Sequence, residues 1–338
     1  MDEHVETKLG VIDSLSLGFQ LVARRPWLLI LPVLLDLFLW LGPRISLQPL
    51  FSRLILPMLQ MPDGLPEDIQ QMITFSQEIL QQMGEHWNLL SLLAQGVVGL
   101  PSFIGSQVAV AAPWQPPAAL AVNSVGGALG WAVLTGLGGI LLGGLYLWLI
   151  AAQLRRWRMD EIPADETATA PPGFLRALAL TWLRLLLLSL LFLGLILLVT
   201  LPISLVGGAL SFISPTFAIS SMSLLSMVTV SLGLWAGFIM FFVTDAIVMD
   251  DVGVLQGVWR SANVVWRNLW PTLGIALLSY VIGAGFTLIW DRIANTTWGT
   301  AVGILGTAYI GAAISAAGLA FYRDRRKRWL EAAASRVV

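Results

Sequence analysis

Asp36 is the side chain whose placement most invites chemistry, because it stands inside the apolar run Leu34-Leu35-Asp36-Leu37-Phe38-Leu39. A charged carboxylate in the middle of a membrane helix costs about 2.5–3.5 kcal/mol on insertion scales, so it must face protein or water. As a functional group it would be a cation or proton site, or the polar lining of a substrate path. As a structural group it would be a protonated or hydrogen-bonded carboxyl that locks helices together, with Tyr146, Ser189 and Thr200 as partners within reach of such a role. Asp245, Asp250 and Asp251 form a second acidic group. They could hold a divalent ion or a headgroup amine. The alternative has Asp251 capping a helix that starts near Val252, where a carboxylate meets free backbone N–H groups, and Asp245 pairing with Arg260.

Most other chemistry is missing from the sequence. There are two histidines, His4 and His86, and no cysteine. Neither histidine falls in an apolar run, so a rhomboid-type serine protease has no base, and Glu85-His86 lacks the second histidine of an H-E-x-x-H zinc site. Asp36 and Asp245 sit at different depths and lack the Gly-x-Gly-Asp context of an intramembrane aspartyl protease. No phosphate-cradling G-x-x-x-x-G-K-[ST] occurs. We therefore expect no catalytic residue, no metal site, no cofactor and no enzyme. A net charge of −1 gives no support to nucleic-acid binding.

The elements that must position these residues are read from where charge is absent. No Asp, Glu, Lys or Arg occurs over the 68 residues from Trp87 to Leu154, nor from Leu185 to Thr244. With 57% hydrophobic residues, 12% charged ones and a mean hydropathy of +0.80, the chain reads as an all-α, polytopic transmembrane helical bundle. The runs are apolar on both faces, which excludes a transmembrane barrel. Six spans are expected, near 21–42, 127–151, 180–202, 222–246, 270–290 and 299–322, within a single integral membrane domain over 1–338. An extracytoplasmic loop would cover 43–126 and a cytoplasmic tail 323–338. Trp27 with Trp40, and Trp270 with Trp290, bracket two spans as an interfacial aromatic belt would.

Sorting the 19 Lys and Arg by side of this topology leaves Arg44, Arg53 and Arg292 on one side and all the others on the opposite one. The positive-inside rule then puts both termini in the cytoplasm, in a bacterial inner membrane. A seventh span at Leu89 to Ala112 would invert everything after it, so this segment is read as extracytoplasmic or interfacial and broken by Pro101. Pro66 to Met83 fits an amphipathic helix with Ile69, Met72, Ile73, Leu80, Met83 and Trp87 on one face. Pro113 to Pro117 returns the chain to the membrane, Met159 to Pro172 is a short linker, and the acidic start, Met1 to Leu9, does not resemble a cleaved signal peptide.

Amphipathic stretches precede three spans, at Val11 to Arg25, Gly173 to Arg184 and Val252 to Trp270, and suggest three units of an elbow helix followed by a hairpin. In the third, Leu255, Val258, Trp259, Ala262, Trp266 and Leu269 oppose Arg260, Ser261, Arg267 and Asn268. Such a helix should lie in the headgroup plane. Arg260, Arg267, Arg325 and Arg326 are the expected contacts to anionic headgroups. The pairs Gly126/Gly130, Gly139/Gly143 and Gly299/Gly303 are small-x-x-x-small signals for close helix packing.

The run Asp245-Ala-Ile-Val-Met-Asp-Asp-Val-Gly-Val-Leu-Gln-Gly-Val-Trp-Arg-Ser-Ala-Asn-Val-Val-Trp-Arg-Asn-Leu-Trp-Pro-Thr-Leu-Gly resembles a segment of bacterial membrane families related to the glycerophosphodiester phosphodiesterase membrane domain. Gly18-Phe-Gln-Leu-Val-Ala-Arg-Arg-Pro-Trp-Leu-Leu-Ile-Leu-Pro is similar to their opening. The phosphodiesterase chemistry in that name belongs to a separate soluble barrel domain, so the resemblance implies a membrane-embedded fold and no catalytic residue. The expectation is a non-catalytic accessory, scaffold or lipid-interacting component whose partners are the bilayer, anionic headgroups and a membrane protein. The alternative is a small-molecule or lipid transporter with Asp36 lining the path.

Overall fold

The computed structural model describes residues 9–55, 57, 67–96, 98–106, 119–159 and 173–335. His4, the run Pro113 to Pro117, nearly all of the linker Met159 to Pro172 and Arg336 lie outside them. The fold is an all-α bundle. Its main helices are α1 (Val11–Arg24), α2 (Ile30–Leu41), α3 (Glu67–His86), α4 (Val125–Met159), α5 (Phe174–Ile213), α6 (Pro215–Ile239), α7 (Val243–Asp250), α8 (Val254–Arg267), α9 (Leu269–Ile293) and α10 (Thr297–Ala334). Among the described residues five helical stretches are long and apolar enough to cross a membrane, and Pro26–Leu41 is a shorter apolar one. Each expected span falls on one of these six. The one expected over 222–246 is interrupted, because α6 ends at Ile239 and α7 begins at Val243.

Prolines decide where elbows form. Pro26 follows α1 and sets a 3-10 turn, Pro26–Leu29, before α2. At the other elbow, Asn268 ends α8 and Pro271 stands in the first turn of α9, where a missing N–H costs nothing. The elbow expected at Gly173 to Arg184 does not form. Leu, Ala, Trp and Arg run unbroken into the span with no proline before Pro202, so α5 is one continuous 40-residue helix. Two elbow helices exist where three were expected.

The chain divides into two compact units. The first comprises Met1–Leu17, Leu147–Leu277 and Ala316–Val338. Its core is Phe242, Ala246, Val264, Val265, Ile275, Phe321 and Tyr322, with Phe242 and Phe321 stacked at 5.6 Å between ring centres. Helices α5 and α6 form a hairpin in this unit, touching where Gly207 leaves room for Met222. The most apolar windows of that hairpin bury 6% and 0% of their residues, so its surface is apolar and exposed nearly all round.

The second unit comprises Gly18–Tyr146 and Leu278–Ser315. Its core joins Trp40, Phe103 and Ile304, with Trp290 packed against them. Of the four tryptophans expected in an aromatic belt, Trp27 and Trp270 are exposed, whereas Trp40 and Trp290 serve this core. The segment 89–106 is not a span. Asn88 starts it by accepting hydrogen bonds from the Leu90 N–H at 3.1 Å and the Ile45 N–H at 3.0 Å, and it continues as short 3-10 turns at Leu89–Leu93 and Ile104–Ser106. A two-residue parallel pair, β1 (Ile45–Ser46) with β2 (Leu120–Ala121), ties the loop ends together. In α3 the inward residues are Ile73, Leu80 and Gly84, while Met72, Phe75 and Ile79 are exposed, so its expected apolar face is only partly the packed one.

Small residues serve this unit in an unexpected way. Gly139 admits the Leu92 carbonyl, which would lie 2.7 Å from an added Cβ, and Gly143 admits the Val98 carbonyl. On α10, Gly303 faces the Phe103 ring and Gly311 faces Pro101. These glycines cradle the loop 92–103 and do not join helix to helix. Gly126 and Gly130 have open space beside them, and Gly299 meets the Ile293 carbonyl in the α9–α10 turn.

Candidate functional site

Within the second unit, Asp36 is on α2 and fully buried, at 0% exposure. Its carboxylate accepts hydrogen bonds from the Ser102 hydroxyl, from the Phe103 N–H at 2.8 Å and from the Ile104 N–H at 3.2 Å. The Ser102 hydroxyl in turn accepts from the Gly105 N–H at 2.9 Å. The carboxylate thus takes up two of the N–H donors that a helical turn leaves unpaired at its start, and does so for a loop segment held among apolar side chains. None of Tyr146, Ser189 and Thr200 is a partner: Ser189 and Thr200 bond the carbonyls of Leu185 and Ile196 in their own helix. Ser102 gave no sequence signal, being one small residue in an uncharged stretch without periodicity.

In the first unit the acidic group behaves differently from the expectation. Asp251 is not the cap of α8, where Gly253 takes that position; it ends α7 in the left-handed region, φ 54°, and its carboxylate pairs with Arg184. Arg260 pairs with Asp250 at 3.0 Å and not with Asp245. The same Asp250 oxygen also takes Arg326 and the Tyr322 hydroxyl, the latter at 2.5 Å. Arg155 donates to the carbonyls of Val248 and Met249 at the C-terminal end of α7, and Arg323 to that of Leu154. Cations at carbonyl-rich helix ends are favourable for both hydrogen bonding and the dipole. Among the described residues no group of three His, Cys, Asp or Glu could hold a metal ion.

Helix α8 divides into three sectors. Gly257, Ser261, Val264 and Val265 are buried. Leu255, Trp259 and Trp266 are 80%, 66% and 74% exposed and form a narrow apolar stripe at helical spacing. Gln256, Arg260, Asn263 and Arg267 fill the sector between. Ser261, expected on the polar side, instead faces inward: its hydroxyl donates to the Ile239 carbonyl at 2.8 Å and accepts from the Phe242 N–H at 3.1 Å. Those are backbone groups freed by the break between α6 and α7, so Ser261 satisfies the interruption that the hydropathy pattern did not reveal.

The four arginines expected at headgroups therefore separate. Arg260 and Arg326 share the carboxylate of Asp250. Arg325 is buried, donates to the Leu9 carbonyl at 2.9 Å and lies 4.8 Å from the centre of the Phe321 ring. Arg267 is exposed, 5.7 Å over the Trp329 ring. Comparison of the chain with protein-family models, with curated proteins and with solved structures finds no match in any of the three.

Proposed function

We propose that the chain is a non-catalytic accessory or scaffold protein of a bacterial cytoplasmic membrane, with six spans and both termini on the cytoplasmic side. The observation that carries this reading is the state of Asp36. A transport path built on this acid needs it to meet substrate or water, whereas Asp36 is at 0% exposure and its hydrogen bonds go to Ser102, Phe103 and Ile104. Several span hydroxyls fit the same reading, since those of Thr135, Ser204, Thr229 and Thr287 each bond a carbonyl of their own helix. The family likeness at 245–274 adds no catalytic group. The lipid-facing hairpin of α5 and α6 is the surface available to a membrane partner.

Because the chain has no cysteine, single cysteines report directly. In intact inner-membrane vesicles Asp36→Cys should resist a membrane-impermeant maleimide from either side, and Ser335→Cys should react only from the cytoplasmic face. Rapid labelling at position 36 would favour the transporter reading. Photo-crosslinkers at Leu198 and Val230 should yield a discrete protein adduct; lipid adducts alone would count against a scaffold.

A further inference from the structure

Several arginines of the first unit are matched: Arg184 to Asp251, Arg260 and Arg326 to Asp250, Arg328 to Asp324, and Arg155 and Arg323 to carbonyls. Arg156, Arg176, Arg267 and Arg325 have no acidic partner among the described residues; of these four only Arg325 is buried, and Arg267 lies over Trp329, on the same helix as Arg325. Arg325 is 5% exposed, and its Nε and Nη1 are enclosed without any hydrogen-bond partner. A guanidinium carries five N–H donors in a planar fork that matches the oxygens of phosphate, so the single bond to Leu9 leaves most of its donor capacity unused. A buried charge in that state is costly until an anion meets it.

We infer that Arg325 and Arg267 form a binding site for the phosphate of an anionic phospholipid in the inner leaflet. The inference rests on the membrane orientation proposed above. Phe321, Arg325 and Trp329 follow one another at four-residue steps on α10, and the two guanidiniums lie over the rings at the ends of this stripe, about 12 Å apart along the helix. That separation gives them different tasks. Arg267, exposed beside Trp266 and Trp270, attracts the headgroup at the membrane surface, where indoles favour the glycerol region. Arg325 supplies the fork, its Nε and Nη1 being the donors left without a partner. The lipid is the source favoured by the exposed Leu255, Trp259 and Trp266 stripe; free inorganic phosphate shares the chemistry and is separated by experiment.

The full chain, delipidated in neutral detergent, is titrated with phosphatidylglycerol, phosphatidylcholine or sodium phosphate and followed by native mass spectrometry and by thermal melting. Phosphatidylglycerol should bind more tightly than phosphatidylcholine. Arg267→Gln should weaken phosphatidylglycerol by about fivefold, the factor expected for one basic residue near the surface. Arg325→Gln should abolish the preference, and Arg325→Lys, which keeps charge but not the fork, should lie between. Arg53→Gln, in the other unit, should leave it intact. Protection by sodium phosphate that is lost in Arg325→Gln would support the site with a soluble ligand. Wild-type phosphatidylglycerol affinity in both Arg267→Gln and Arg325→Gln would overturn it; should Arg325→Gln not fold, unchanged affinity in the exposed Arg267→Gln alone would do so. That result leaves the scaffold reading standing, whereas labelling of Asp36→Cys removes the scaffold reading and leaves the site.

Discussion

The carboxylate of Asp36 and the hydroxyl of Ser102, 66 positions apart in sequence, are joined by a hydrogen bond, and this contact fixes the loop 89–106 against α2. Asp36→Ala would leave the Phe103 and Ile104 N–H groups buried and unpaired, at about 1–3 kcal/mol for each. Ser102→Ala leaves the carboxylate its two backbone bonds but removes one donor to it and the acceptor of the Gly105 N–H, so it should cost about 1–2 kcal/mol. Thermal melts of the purified protein should rank wild type above Ser102→Ala, and Ser102→Ala well above Asp36→Ala. Equal stability of all three would show that the carboxylate does not hold the loop.

The glycines that cradle the same loop should be intolerant where others are not. Gly143→Ala drives a methyl group into the Val98 carbonyl and Gly139→Ala drives one against Leu92, and backbone cannot move aside as a flexible side chain would. Overpacking of this kind costs about 1–3 kcal/mol. Gly130→Ala meets open space and should be neutral or stabilising by up to about 1 kcal/mol, because alanine is the better helix former. Melting temperatures of the three variants decide the matter. A destabilised Gly130→Ala beside a neutral Gly143→Ala would place the close contact on the wrong turn of α4.

How far the fold was legible follows from what kind of physics left a trace. The apolar runs are long because a bilayer is thick, so the five long apolar helices and the shorter Pro26–Leu41 each leave a hydropathy signal, and the two elbows that form coincide with Pro26 and Pro271. At Gly173 to Arg184 an amphipathic pattern without a helix breaker runs straight on into the span, so no elbow forms. Partners of single polar residues leave no trace: Asp36 finds Ser102 in an uncharged loop, and Ser261 meets a helix break 19 and 22 positions away that hydropathy reads as continuous. For the arginines, composition named the basic cluster, but only the placement of Asp250 among α7, α8 and α10 separates the ion-paired Arg260 and Arg326 from Arg267 and Arg325.

Ser261 offers a test of the broken span. Ser261→Ala should cost about 1–3 kcal/mol, since the Phe242 N–H and Ile239 carbonyl would lose their shared partner in a buried place. Ser226→Ala removes an exposed hydroxyl that only bonds the Ser223 carbonyl of its own helix, and should be near neutral. Amide hydrogen exchange at 239–243 should accelerate in Ser261→Ala and not in Ser226→Ala. Unchanged exchange there would mean that the break is held by packing alone.

Asp250 carries the heaviest electrostatic load. Its side chain and those of Arg260 and Arg326 are 15%, 16% and 16% exposed, so removing the carboxylate leaves two poorly solvated guanidiniums facing each other. Asp250→Ala should therefore cost about 3–5 kcal/mol, the range for breaking a buried pair from one side. The Asp250→Ala, Arg326→Gln pair should be less unstable than the sum of the two single variants, with a coupling of about 1–3 kcal/mol. Additive losses would mean that Arg326 draws nothing from Asp250 in solution.

The exposed stripe of α8 makes the last prediction, about depth in the bilayer. Trp259 and Trp266 are 66% and 74% exposed on the face opposite the buried Val264, and Trp270 continues that surface at 77%. An indole so placed beside Arg267 belongs at the headgroup–acyl boundary, apolar on one side and wet on the other. In nanodiscs, lipids brominated near the carbonyl end of the chain should quench part of the intrinsic fluorescence. That quenched part should shrink in Trp259→Phe and again in Trp266→Phe. Lipids brominated near the chain terminus should act weakly on the same two residues. Aqueous iodide quenching both indoles more strongly than either lipid would take α8 out of the interface. The phosphate site assigned to Arg267 and Arg325 would then lose its supply of lipid.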